Sequence, residues 1–258
     1  MNNATGRQVI IEVRDLVKQY GAFQAVKGIS FDVYEGEIFG LLGPNGAGKS
    51  TSLEIMETLR VKTSGTVRIS GFSLDSEPEK IKRIIGVQLQ TSGFYPGLKL
   101  TELIELFNGL YNESADPMTL LRTVNLEEKA SATYKSLSGG QKQRFSIATT
   151  LINKPRIIFL DEPTTGLDPQ ARRNLWELIR DIRRQGTTVI ITTHYMDEAE
   201  FLCDRVAIMD EGRIVAIDSP GKMIDDLLEQ GFQRHREVKG ANLEDVFIAM
   251  TGHGLRED

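Results

Sequence analysis

An α/β fold with a mostly parallel sheet accounts for this sequence of 258 residues. Apolar runs at residues 38–42, 157–160 and 189–191 have the unbroken hydrophobicity of strands buried on both faces of a parallel sheet. Helical patterns follow these runs. Leu175, Leu178, Ile179 and Ile182 mark one amphipathic helix, with Arg172, Arg173, Arg183 and Arg184 mostly on its other faces. Moreover, the run at 38–42 leads through a glycine-rich loop into a helix, the strand–loop–helix order of an α/β phosphate site.

In chain order, the first 40 residues read as β structure, with runs at 9–13 and 29–33 and a turn at 34–37 before the buried strand. After the glycine loop, Leu53, Met56, Leu59 and Arg60 predict a helix, and residues 65–70 and 84–89 predict strands. From about 91 to 151 the character becomes helical. Leu100, Leu103, Ile104, Leu106 and Phe107 form one stripe, 118–124 a second helix, and 140–153 a third that Pro155 closes. This stretch reads as a helical lobe inserted into the α/β core. The rhythm then resumes and ends in a hairpin, with 206–209 and 214–217 flanking Asp210-Glu211-Gly212-Arg213. The expected division is a single domain over 1–218, with its core at 1–90 and 152–218, and a short helical extension at 219–258.

The composition narrows the function classes. A net charge of −5 argues against a general nucleic-acid binder. No run reaches the roughly 18–20 apolar residues of a membrane span, and the first residues lack an apolar signal core, so a cytoplasmic location is expected. The single cysteine, Cys203, allows no internal disulfide and is expected to pack as a small hydrophobe.

Three motifs carry chemistry. Gly43-Pro44-Asn45-Gly46-Ala47-Gly48-Lys49-Ser50, with Thr51 after it, satisfies G-x-x-x-x-G-K-[ST] at every fixed position. Glycines let backbone N–H groups turn toward phosphate oxygens, Lys49 reaches the β and γ phosphates, and the Ser50 hydroxyl suits Mg²⁺. Asp161 and Glu162 end an apolar strand. Asp161 is placed to face the metal, and Glu162 to polarise an attacking water as general base. Finally, Leu137-Ser138-Gly139-Gly140-Gln141 opens a helix whose serine and glycine N–H groups offer a second anion site. Two phosphate-facing loops roughly ninety residues apart are hard to bring onto one nucleotide within one chain. Two subunits set head to tail, each closing the other's nucleotide, solve that problem.

With these motifs in this order the chain resembles the ABC ATPase family along essentially its whole length, which implies a P-loop NTPase core, an N-terminal antiparallel β subdomain and an inserted helical subdomain. The resemblance implies ATP and Mg²⁺ as ligands and assigns further residues. Tyr20 resembles the aromatic that stacks on adenine, and Gln90 the glutamine that senses Mg²⁺ and the attacking water. Asp168, in Gly166-Leu167-Asp168, resembles the loop that crosses the dimer interface, and His194 the switch histidine at the γ-phosphate.

The same resemblance implies an ATPase motor of a transporter, placed peripherally on the cytoplasmic face of the membrane. Its expected partners are a separately encoded polytopic membrane subunit and a second ATPase subunit in a homodimer, with no nucleic acid. DNA-maintenance relatives need a long coiled coil that the spacing here leaves no room for, and ribosome-acting relatives carry two cassettes. The tail at 241–252 resembles exporter ATPases more than importer motors.

Overall fold

The computed structural model describes residues 7–88, 93–232 and 243–251. The chain opens with strands β1 (Val9–Tyr20) and β2 (Phe23–Tyr34), then β3 (Ile38–Leu42), helix α1 (Lys49–Met56), and strands β4 (Ser64–Ile69) and β5 (Phe72–Ser73). A short α2 (Pro78–Lys82) leads to β6 (Ile85–Gln88), and the helical stretch holds α3 (Leu100–Tyr111), α4 (Pro117–Thr123) and α5 (Gly139–Thr150). There follow β7 (Ile157–Asp161), α6 (Pro169–Arg184), β8 (Thr188–Thr193), α7 (Met196–Leu202), β9 (Arg205–Asp210) and β10 (Arg213–Asp218), then α8 (Pro220–Glu229) and α9 (Leu243–Thr251).

These strands make two sheets. One is antiparallel in the order β2-β1-β4-β5. The other is β10-β9-β3-β8-β7-β6, parallel throughout except for its edge strand β10. Alternation along the buried strands sends side chains to two separate cores. Phe39, Leu41, Ile157, Phe159 and Ile190 join α1 and the antiparallel sheet in one, and the Phe31 and Phe39 rings stack at 5.4 Å across the gap. Ile38, Leu42, Ile158, Leu160, Val189 and Ile191 join the other core, which α3 to α8 cover and which Val246 of α9 also enters. Phe145 of α5 is fully buried there and meets Phe94 edge-on, a contact within the helical stretch.

The predicted strands and helices form, with three corrections of extent. The first strands run to twelve residues each, because pairing continues to the Tyr20–Phe23 turn, where Gly21 takes φ 57. The helix after the glycine loop stops at Met56. Thr58 adopts φ 65, a left-handed conformation costly for a β-branched residue, so Leu59 leaves the core at 58 % exposure. The helix predicted over 140–153 spans Gly139–Thr150, and Lys154 turns left-handed before Pro155. The hairpin at 206–217 forms as predicted, with Glu211 and Gly212 both at positive φ as a two-residue turn of this kind requires.

Helix α5 docks on β6 by backbone. A Cβ on Gly86 would lie 2.2 Å from the Thr150 carbonyl oxygen, so only glycine allows this approach. Gly86→Ala is expected to destabilise the protein by about 1–3 kcal/mol through overpacking. A urea melt with an unchanged midpoint would show that the contact relaxes freely.

Candidate nucleotide site

Neighbouring strands β3, β8 and β7 end on the same side of the sheet, so whatever follows each of them meets in one crevice. The glycine loop follows β3, Asp161 and Glu162 close β7, and His194 follows β8. The loop is pinned from behind. Gly43 N–H donates to the Thr193 carbonyl at 3.3 Å, and Cβ atoms on Gly43 and Gly48 would lie 2.1 Å from Met209 O and 2.6 Å from Ala25 O. Gly46 and Gly48 take φ 82 and 96. Gly43, Pro44 and Ala47 are buried in this seat, while Asn45 and Gly46 face outward.

Lys49 opens α1 and is 5 % exposed. Its ammonium donates to the carbonyls of Gly43 and Pro44 at 2.8 and 3.0 Å and lies 3.5 Å from Glu162 Oε1. Burial lowers its pKa, and the charge of Glu162 opposes that shift. Glu162 Oε2 lies 3.3 Å from His194 Nδ1 and accepts from the Thr165 hydroxyl at 3.2 Å. The Glu162 backbone sits at φ 45, a strained conformation for a residue with a Cβ, and its N–H donates to Thr192 Oγ1 at 2.9 Å. Thr192 in turn donates to Asp161 Oδ1, which also accepts from Ser50 Oγ at 3.1 Å. Burial raises the Asp161 pKa, and the hydroxyls of Thr192 and Ser50 oppose the shift.

A cavity of about 630 Å³ opens in front of these groups, within the size range of small-ligand sites. Tyr20, Asn45, Gly46, Gly48, Lys49, Ser50, Thr51, Glu162 and His194 line it. Phe23, Ala25 and Thr165 line it too, and the sequence reading missed them. The glycine in the Tyr20–Phe23 turn was the signal for the first two, because a hairpin there brings both of its strand ends to the loop. The Tyr20 hydroxyl accepts from Arg60 Nη1 at 2.6 Å, and the Lys18 ammonium stands 4.8 Å from the centre of its ring.

The remaining predicted residues lie elsewhere. Ser138, Gly139, Gly140, Gln141 and Asp168 are not among the cavity's lining residues, and Gln90 lies outside the described residues. Ser138 caps α5 in a capping box, accepting from Gln141 N–H at 3.3 Å while Gln141 Oε1 accepts from Ser138 N–H at 3.0 Å. Asp168 caps α6, accepting from the N–H groups of Gln170 and Ala171 at 3.0 and 2.9 Å. Leu167 and Ala171 lie against Gly139 and Gly140, so the two helix starts touch.

The loop, its lysine and the acidic strand end define a P-loop nucleotide-binding protein. The sequence profile of the ABC transporter family matches residues 26–165. The Nod factor export ATP-binding protein I of Burkholderia orbicola is 35 % identical over 96 % of this chain and 98 % of its own length. The linearmycin resistance ATP-binding protein LnrL of Bacillus subtilis is 39 % identical over 81 % of this chain and 68 % of its own. Among solved structures, an ATP-binding subunit of an ABC transporter superposes with TM-score 0.78 at 29 % identity, covering 94 % of this chain and 99 % of that one. A dimeric ATP-binding cassette in a post-hydrolysis state with ADP and Pi gives 0.72 at 29 % identity, covering 81 % and 98 %. The chain belongs to the ABC transporter family.

Glu57, at the end of α1, is 3 % exposed, and its pKa is pushed up to about 8 by burial and then by the charges of Asp161 and Glu54. The folded chain therefore holds this proton more tightly than the unfolded chain, whose carboxyl has the ordinary value of 4.5. Its contribution to stability is complete below that value and is lost as pH rises toward 8. Glu57→Gln is expected to flatten this slope, gaining on the order of 5 kcal/mol over the wild type above pH 8. Parallel thermal melts of the two proteins from pH 4.5 to 8.5 would refute this reading by superimposable slopes.

Proposed function

We propose that this chain powers an exporter-type ABC transporter by hydrolysing ATP between two copies of itself, bound peripherally to the cytoplasmic face of a separately encoded polytopic membrane subunit. The observation that carries the hydrolytic role is the placement of Glu162 at the cavity wall, one carboxylate oxygen facing Lys49 and the other His194 and Thr165. Lys49 and the loop N–H groups bind the phosphates. Tyr20 stacks on the base. Glu162 orients the attacking water and takes its proton, and His194 holds Glu162 and the terminal phosphate in register.

The residues present fit a magnesium ion. Ser50 and Asp161 put a hydroxyl and a carboxylate within 3.1 Å of each other, the hard oxygen donors that Mg²⁺ prefers, and Gln90 is their third companion by resemblance. Bound with the nucleotide, Mg²⁺ supplies charge neutralisation at the β and γ phosphates.

Ser138 to Gln141 and Asp168 act on the partner copy's nucleotide, which fits their position outside this chain's own cavity. The dimeric cassette holding ADP and Pi supports this arrangement, and the relatives named for export and for drug resistance support the direction of transport. The helical subdomain at about 91–151 would be the lobe that meets the membrane subunit, and 219–258 a C-terminal extension of the cassette. No helix among the described residues is long and apolar enough to cross a membrane, which leaves that task to the partner.

Capture of the tagged protein from membranes of its own organism, followed by mass spectrometry, tests the partner. A polytopic protein without a solute-binding protein is expected. A co-purifying solute-binding protein would reverse the direction, and recovery only with ribosomes or DNA would remove the transport role.

Two substitutions test the chemistry. Glu162→Gln is expected to keep ATP affinity and lower kcat by about 10²–10⁴-fold, with an ATP-bound dimer accumulating on gel filtration. Wild-type turnover in that variant would remove Glu162 from the base role. Lys49→Ala is expected to weaken ATP binding itself, and an unchanged affinity in equilibrium titration would show that the loop does not hold the phosphates.

A further inference from the structure

Glu198 of α7 is wholly enclosed, at 0 % exposure, and no step of hydrolysis uses it. Its Oε1 accepts from the Thr164 hydroxyl at 2.7 Å and from the Trp176 indole N–H at 2.9 Å. Burial raises its pKa, while the Thr193, Thr164 and Trp176 donors and the charge of Arg172 oppose the shift. An enclosed carboxyl is expensive to bury, and an apolar side chain of similar volume would pack at this position without that penalty. The carboxyl does what an apolar residue cannot, since one of its oxygens ties α7 both to the turn after β7 and to α6.

Those elements lead to different places. Thr164 stands two residues after Glu162, in the turn that leaves β7, and Thr193 directly precedes His194. Trp176 belongs to α6, whose first turn carries the Asp168 cap and sets Ala171 so close to Gly140 that a Cβ there would lie 3.0 Å away. Arg172, one turn before Trp176, stacks over the Tyr195 ring at 4.3 Å and reaches Asp197 at 3.5 Å, a second tie between α6 and the segment after His194. One connected route from the Glu162–His194 pair to the Ser138–Gln141 loop runs through the polar contact at Glu198 and then along α6.

We infer that Glu198 is a positioning residue that couples the two composite sites, locking the Glu162–His194 pair at this copy's nucleotide to the Ser138–Gln141 loop at the partner copy's. The inference rests on the head-to-tail reading of the dimer. It adds a physical route by which the state of one site reaches the other.

The test compares the full-length wild type with Glu198→Gln and Glu198→Leu in steady-state ATP hydrolysis and in equilibrium ATP binding. The amide oxygen of Gln still accepts both hydrogen bonds, whereas Leu fills the space and accepts neither. Wild type and Glu198→Gln are expected to show cooperative hydrolysis, with a Hill coefficient clearly above 1 and at most about 2 for two coupled sites. Glu198→Leu is expected to lose the cooperativity and to drop kcat on the order of 10–100-fold, as misplaced catalytic groups do, with ATP affinity kept. Should Glu198→Leu fail to fold, Thr164→Val removes one donor at nearly constant shape and is expected to show the same split in weaker form. Wild-type kcat and cooperativity in the variant that folds would overturn the inference, as would wild-type hydrolysis without cooperativity, and either result would leave the ATPase reading standing. A wild-type chain that binds no ATP would overturn both.

Discussion

Strands β3, β7 and β8 are buried on both faces, packed on one side against α1 and the antiparallel sheet and on the other against α5, α6 and α7. A strand in that position has no face on which to carry a polar side chain at acceptable cost. Chemistry can appear only where the strands stop, and since these three are parallel neighbours they stop together. The loop after β3, the carboxylates ending β7 and the histidine after β8 are brought together by this constraint alone. Side chains of β8 show the same boundary from within. Its middle, Val189 to Ile191, is apolar, and its hydroxyls, Thr188, Thr192 and Thr193, fall at the two ends, where they accept from the N–H groups of Gly36, Glu162 and Tyr195.

Once the groups are assembled, burial sets their electrostatics. Lys49, Asp161 and Glu162 are each less than a tenth exposed, so none can rely on water for its charge. Lys49 is instead compensated by two loop carbonyls and Glu162, and Asp161 by two hydroxyls. A phosphate chain entering the cavity would take over the contacts that Lys49 now makes with its own loop. Such an exchange of partners allows a buried cation to stay charged both before and after binding. The strained φ of Glu162 fits the same picture. A carboxylate between a lysine and a histidine is held by surrounding contacts, and those contacts, not local backbone preference, fix its conformation.

Much of this was legible from the residues. The buried strands declare themselves by unbroken apolar runs, and the glycine loop and acidic pair by residue types that have few other uses at strand ends. The length of β1 and β2 was not legible, because register shifts in their outer halves break the alternation of buried and exposed residues that marks a strand. The early end of α1 was hidden as well. Leu59 continues the helical spacing, but Thr58 breaks the backbone first, and periodicity carries no information about φ. Thr165, on the cavity wall, has no motif to announce it, and only the turn after Glu162 brings its hydroxyl to the carboxylate. Glu198 was invisible for a deeper reason. On a helix written Met-Asp-Glu-Ala-Glu, one acid looks like the next, and only packing distinguishes the enclosed carboxyl from its solvated neighbours Asp197 and Glu200.

The starts of α5 and α6 bear on the proposed head-to-tail dimer, in which one chain would serve two nucleotides. Both helices begin at a side-chain cap, Ser138 and Asp168, so their first turns are ordered before any ligand arrives. They also begin against each other, since a Cβ on Gly140 would meet the Ala171 side chain at 3.0 Å. The same α6 is tied by Trp176 and Arg172 to the segment that carries His194. In the proposed dimer, a change of partners at the γ-phosphate position would have a route of packed polar contacts to the starts of α5 and α6. Rigid elements with a few polar junctions transmit such shifts better than a fluid interior would, because a close-packed core yields by discrete repacking and not by gradual deformation.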